Sequence, residues 1–322
     1  MNQMSGRISA NLKNGRILKV DATIKEYLAS KGEKDGPRIL SRSDLVDILA
    51  CPRKWRKCVD RGIETEDRPT PSTEFGSLLD CLLLQPHKFD EYYLMPPKTY
   101  ETKKGEVKDW TWRSSTCRDW RTEQEESGHL VCTLEDRDKA AAAISDLMKD
   151  PEHGEQTARL LKNSRHQVFA MADYEDEETG VTVPIKILTD ILPDQSDPQF
   201  GKSVFDLKTA RNAIPGAWKK AVFDDGLHIQ AAMGLDVINS LAGEDRCDFR
   251  HLIVENQPPF EPAYRFLTAE YIELGRLRYV TALRVYCQCV KSGKWPSYDE
   301  QGAMVLNDGY AACDVLPWMV GQ

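Results

Sequence analysis

Apolar residues recur along this chain at two spacings, and the change between them divides it. From 39 to 163 they fall three and four residues apart, the period of helices with one face turned to a core. Ser41-Arg-Ser43 ahead of Asp44-Leu-Val-Asp-Ile-Leu-Ala offers an N-cap, and Pro52 stops that helix. Ala140–Ala143 marks another, alanine being the best helix former. The stretch 98–127 lacks the period and reads as a loop. Beyond 164, β-branched and aromatic runs at 166–173, 181–192, 203–209, 249–255 and 263–267 predict strands. Helical spacing returns over 215–242 and again over 269–292, where Leu274, Leu277, Val280, Leu283, Cys287 and Val290 repeat up to Gly293. The class is α/β, a central mixed sheet with helices on both faces and a largely helical N-terminal half.

Residues 1–38 are polar and charged, with Gly32, Gly36 and Pro37 near their end, and read as an extension with a short strand at Arg16–Asp21. One domain is expected from 39 to 298, and the apolar residues of 299–322 predict a tail docked on it. A chain of 322 residues can bury a substantial core. No basic-then-apolar leader and no apolar run near eighteen residues is present, which predicts a cytoplasmic protein without a membrane partner. Nine irregularly spaced cysteines point to reduced thiols. No phosphate-binding GxxxxGK[ST] loop and no serine-hydrolase elbow occurs.

The candidate chemistry lies in two neighbouring strands. Val181-Thr-Val-Pro-Ile-Lys-Ile-Leu-Thr-Asp190 and Ser203-Val-Phe-Asp206-Leu-Lys208 each end an apolar run in a carboxylate, so two adjacent strands would present them at neighbouring tips. Asp206 and Lys208 are two apart and share a strand face, with Leu207 turned to the core. Paired acids beside an ammonium suit phosphodiester hydrolysis: carboxylates hold a divalent cation, and the lysine stabilises or positions the nucleophile.

This arrangement resembles the PD-(D/E)xK nuclease superfamily, with Thr189 where the first motif has proline. Other elements, in the same order, are similar to the RecE C-terminal exonuclease family and, more distantly, to lambda exonuclease and RecB-like nucleases. They are Ser41-x-Ser43 with Cys51-Pro52-Arg-Lys-Trp55, Phe75-Gly76 through Asp80 to Pro86 and Phe89, Gln230 on a helix after the strands, and Trp295-Pro296-Ser297-Tyr298. The resemblance implies catalytic roles for Asp190, Asp206, Lys208 and Gln230. It implies metal contacts from Asp190, Asp206, the Leu207 backbone and the positions of Asp80 and Gln167.

Three positions depart from the family. Asp80 replaces a histidine, Gln167 a glutamate, and Gly234 a tyrosine four residues after Gln230. A lone acid in Leu-Leu-Asp-Cys-Leu-Leu-Leu needs a cation, so Asp80 is expected either to restore the charge missing at Gln167 or to pair with Arg53 or Lys54. Net charge is −8, so any DNA contact must be local. Arg53, Lys54 and their neighbours to Arg61 form one basic cluster; Trp110 and Trp112 lie among lysines in another. With Thr209, these are the DNA-contact candidates.

The resemblance implies a Mg²⁺-dependent exodeoxyribonuclease, with Mn²⁺ able to substitute and no iron–sulfur cluster. It would degrade one strand of duplex DNA ends 5′ to 3′, act as a homo-oligomeric ring, and pass 3′ single strands to a single-strand annealing protein in phage-type recombination. The alternative is an inactive DNA-end-binding scaffold that kept the fold.

Overall fold

The computed structural model describes residues 10–32, 38–63 and 71–298. Strand β1 (Leu12–Lys19) precedes helices α1 (Ile24–Ala29), α2 (Arg42–Ala50), α3 (Pro52–Arg61) and α4 (Pro71–Leu84). After a tight turn at Pro86–Lys88 come α5 (Phe89–Tyr92) and the short strands β2 (Tyr93–Leu94), β3 (Thr99–Glu101) and β4 (Val107–Asp109). Next are α6 (Ser115–Glu126), β5 (Leu130–Val131), α7 (Leu134–Lys149) and α8 (Gly154–Lys162). The strand-rich half runs β6 (Ser164–Glu175), β7 (Thr182–Pro193), β8 (Ser203–Ala210), α9 (Pro215–Asp224), α10 (Leu227–Asn239), β9 (Asp248–Glu255), β10 (Pro262–Phe266) and α11 (Ala269–Ser292).

Local chemistry sets the boundaries. Ser41 and Asp44 form a reciprocal capping box on α2, as Thr133 and Asp136 do on α7, satisfying amide donors that a helix start leaves unpaired. Proline opens α3 and α9, where its missing N–H costs nothing. Gly293 closes α11 at φ 71°, a left-handed end that glycine adopts without strain.

Six strands form one sheet in the order β1-β6-β7-β8-β9-β10. All neighbours are antiparallel except β8 and β9, which α9 and α10 connect as a parallel crossover. On one face, α2, α10 and α11 bury Ile48, Met233 and Leu283 against Ala170, Ile185 and Ile253. On the other, α4, α7 and α8 bury Leu79, Leu147 and Leu160 against Phe205, Leu207 and Leu252. The central mixed sheet between helical layers is the α/β class expected.

Two expectations change. The stretch 98–127 is not a plain loop: β3 and β4 pair as a hairpin and α6 follows, because Trp110 gathers Tyr100, Trp112 and Trp120 into a small aromatic cluster. The early strand lies at Leu12–Lys19 rather than 16–21, and it edges the main sheet by pairing with β6. The expected docked tail, 299–322, lies outside the described residues. No described helix is long and apolar enough to cross a membrane.

Candidate active site

One transverse row of polar side chains crosses an otherwise apolar sheet. His166 pairs with Ile191 and Val168 with Thr189, so Gln167 stands opposite Asp190. Ile191 pairs with Phe205, so the next step of that ladder sets Asp190 against Asp206. Asp206 in turn pairs with His251. Directly opposed residues share a sheet face, which makes Gln167, Asp190, Asp206 and His251 neighbours.

The two aspartates are not at strand tips, as the sequence suggested. Asp190 lies inside β7 and Asp206 inside β8. The opening arises mid-sheet because Ile191–Phe205 is the one register pair between these strands. Just past it, Asp190 Oδ2 accepts the Leu207 N–H at 2.8 Å, a side chain standing where a ladder carbonyl would. The edge of β7 thus freed is met by Leu40, which exchanges backbone hydrogen bonds of 2.9 Å with Pro184 and Lys186. Gln167 has φ 47°, a left-handed backbone that costs a non-glycine residue about 1–3 kcal/mol. Its carbonyl accepts the Ala22 N–H at 2.9 Å, so the N-terminal segment braces the kink.

Around Asp206 the contacts are short. Gln230 Nε2, from the second turn of α10, donates to Oδ1 at 2.7 Å, and Lys208 Nζ lies 2.7 Å from Oδ2. His251 Nε2 is 3.8 Å from Oδ2, and neither of its ring nitrogens has a hydrogen-bond partner. Asp206 is 3% exposed and His251 1%, so these contacts act with little solvent screening. Gln167 Nε2 reaches Asp190 Oδ1 at 3.5 Å, the outer limit of a hydrogen bond.

Asp80 approaches from α4 and forms no hydrogen bond or ion pair with any described residue. Burial, then the Asp206 charge, pushes its carboxyl up to about 7 against the opposing pull of Lys208. Burial also drives Asp190 well above the usual carboxylate range, with Asp206 and Asp80 adding to it. Burial alone would lower the Lys208 ammonium, but Asp206, Asp190 and Asp80 together hold it above its ordinary value. His251 falls to about 4 because burial disfavours its charged form, only partly offset by Asp206.

The structure therefore gathers Asp80, Gln167, Asp190, Asp206, Lys208 and Gln230 in one place. Leu207 is there through its N–H; its side chain is buried. Thr209 follows on β8 under α4, where a Cβ added at Gly76 would lie 3.0 Å from its Oγ1. Arg53 and Lys54 do not meet Asp80: they are exposed on α3, and Arg53 Nε donates to the Trp295 carbonyl at 3.1 Å. The ion-pair alternative for Asp80 is replaced by its coupling to Lys208 and Asp206. Trp110 spends its ring on three aromatic neighbours, with centroids 5.1 to 6.3 Å away, so packing rather than base stacking occupies it. Trp112 keeps part of its surface, with the Arg121 guanidinium 5.8 Å from its ring. At Gly234, where the resembled family has a tyrosine, a Cβ would stand 3.5 Å from the Phe249 ring, in ordinary van der Waals contact.

His251 was not foreseen. Its only sequence signal is one histidine inside the apolar run Phe249-Arg-His-Leu-Ile-Val. Nothing local says that this strand lies parallel to β8 with His251 beside Asp206.

Among the described residues no three His, Cys, Asp or Glu side chains converge as a ready metal cage. The donor set nonetheless fits a divalent cation: three carboxylates face one ammonium, one of them unbonded, and two are pushed towards protonation chiefly by burial, with neighbouring carboxylate charge adding to it. Oxygen donors of this kind suit Mg²⁺ or Mn²⁺.

A kinked strand pair, an acid on each strand and a lysine two residues after the second define a PDDEXK-type nuclease fold. The family model described as a PDDEXK-like domain of unknown function (DUF3799) matches residues 41–306, and the chain belongs to that family. Among solved structures, a "putative exonuclease" from Eubacterium rectale superposes with a TM-score of 0.52 at 15% identity, covering 94% of this chain and 98% of that one. Rai1 from Scheffersomyces stipitis, in complex with (3′-NADP)⁺ and calcium ion, gives a TM-score of 0.27 at 12% identity, covering 80% and 68%. A search of curated proteins finds no match.

Proposed function

We propose that this chain is a divalent-metal-dependent exodeoxyribonuclease that hydrolyses one strand of duplex DNA from its ends. The observation that carries the reading is that Asp80, Asp190 and Asp206 all lie within electrostatic reach of Lys208, with Gln230 on Asp206. Asp190, Asp206 and Asp80 would hold Mg²⁺, with Mn²⁺ as substitute, and the Leu207 carbonyl and Gln167 beside them. When bound, the ion would supply Lewis acidity and a water acidic enough to attack at neutral pH. Lys208, held charged by its acidic neighbours, places a cation where phosphorane charge grows. Gln230 keeps Asp206 oriented through its 2.7 Å bond. Low exposure around Asp206 excludes bulk water and strengthens each of these contacts.

The 5′ to 3′ direction, the 3′ single-stranded product, an annealing-protein partner, a ring-shaped homo-oligomer and a cytoplasmic setting in phage-type recombination follow from the family resemblance and belong to this proposal. The test is end-labelled duplex with Mg²⁺, Mn²⁺ or EDTA, wild type against Lys208→Ala. Metal-dependent release of label by wild type, reduced at least 100-fold in the variant, is the expected result. A second reading, an inactive DNA-end-binding scaffold, is favoured by Gln167, which gives Asp190 an amide donor where the family carries a carboxylate. Binding without cleavage under every metal condition would select it.

A further inference from the structure

The stretch Lys98–Arg121 builds a module outside both main cores. None of its side chains enters either of them, and its interior is the aromatic cluster around Trp110. The parallel pair β2–β5 closes its base. Arg121 Nη2 bonds Glu74 Oε1 at 2.8 Å, tying it to α4. Glu74 precedes Asp80 by six residues on that helix, an axial rise of about 9 Å. The module therefore stands next to the candidate active site while adding nothing to the core that positions it.

Several of its cations are displayed rather than used. Lys103 and Lys104 form the hairpin tip, ahead of Gly105 at φ 80°, and are exposed. Neither they nor Lys98 and Arg113 make an ion pair among the described residues. Arg118 Nη1 donates to the carbonyls of Trp112 and Arg113 at 3.1 and 2.8 Å, which holds the backbone that carries Arg113 outward. On the same hairpin Lys108 is neutralised by Glu106 at 2.9 Å, so the unpaired cations are those at the tip, together with Lys98 and Arg113. A rigid aromatic base carrying unpaired cations is suited to a phosphate backbone.

We propose that the hairpin tip, Lys103 and Lys104 with Arg113 behind them, grips phosphates of duplex DNA flanking the cleavage site. The proposal rests on the nuclease reading for its substrate, but its test does not require cleavage. Duplex binding is measured in EDTA from 50 to 200 mM salt for wild type, for Lys103→Ala/Lys104→Ala, and for the control Lys149→Ala/Lys162→Ala on α7 and α8. Each lost phosphate contact lowers the slope of log K against log salt by about 0.9, so the tip variant should lose about 1.8. The control should keep the wild-type slope, and melting temperature should stay the same in both, since these lysines pack on nothing. A tip variant with the wild-type slope would overturn the proposal, whether the tip then serves a protein partner or only solvent. Wild type that binds no duplex would overturn it too. Wild type that binds but never cleaves, with the slope lost in the tip variant, would leave the clamp standing and refute the nuclease.

Discussion

Two aspartates meet cations in this protein, Asp206 buried and Asp236 half-buried, and they are treated in opposite ways. Asp236 on α10 takes a two-pronged contact from Arg276, with both bonds at 2.7 Å, and a third from the Tyr279 hydroxyl at 2.6 Å. Both oxygens are spoken for, and the Arg276 guanidinium is held above its ordinary value chiefly by that bond. Asp206 also has two partners, but Asp190 and Asp80 stand within electrostatic reach and only Lys208 balances them. The first set is closed and welds α10 to α11. The second carries surplus negative charge inside the fold, which lowers stability unless a cation arrives. Under the proposed function, the contrast separates a polar group kept for structure from one kept for chemistry.

The largest expected effect is on cleavage. Asp206→Asn should cut duplex hydrolysis by roughly 1,000-fold or more, the scale of losing a charge-stabilising group, while thermal stability holds or rises. End-labelled duplex assays and melting curves on the same preparation check both halves. Asp236→Ala should do the reverse. It removes three charge-assisted bonds and leaves Arg276, among the described residues, only its contact with Glu273, so stability should fall by about 1.5–3 kcal/mol in denaturant titration, with cleavage per folded molecule unchanged. If both variants lost activity and stability alike, the distinction between the two sets would collapse.

Smaller effects sharpen it. Because the Asp80 carboxyl is raised in the fold, the stability tied to it is present at low pH and is lost as pH rises from the ordinary aspartate range through about 7. Asp80→Asn should therefore raise the melting temperature of metal-free protein at pH 8 and leave it nearly unchanged at pH 4. Added Mg²⁺ should narrow the difference at pH 8. The smallest effect is expected from Gln167→Glu, which adds a carboxylate beside Asp190. It should lower the Mg²⁺ concentration for half-maximal cleavage by a few-fold, read from metal titrations at fixed substrate.

Much of this was legible in the chain because its signals are local. Strand alternation placed β6 to β10 to within a few residues, and Asp206 and Lys208 share a face by spacing alone. What escaped depends on distant pairing. His251 acquires its place from a parallel register across a crossover of two helices. The mid-sheet opening comes from β7 and β8 pairing only at Ile191–Phe205, and the freed edge of β7 is met by Leu40 at Ile185, 145 residues away in sequence. The order within 98–127 comes from four aromatic rings finding one another, which no period announces.

The bond from the Leu207 amide to Asp190 has a further consequence. One rung of the sheet is held by the same carboxylate expected to bind metal, so filling the site and releasing that amide are linked. Leu207 then becomes a built-in reporter. Its proton should exchange slowly in the metal-free protein, and its nitrogen-15 resonance should move on titration with Mg²⁺ before any substrate is present. A silent spectator, Val254 deep in β9, offers the internal reference.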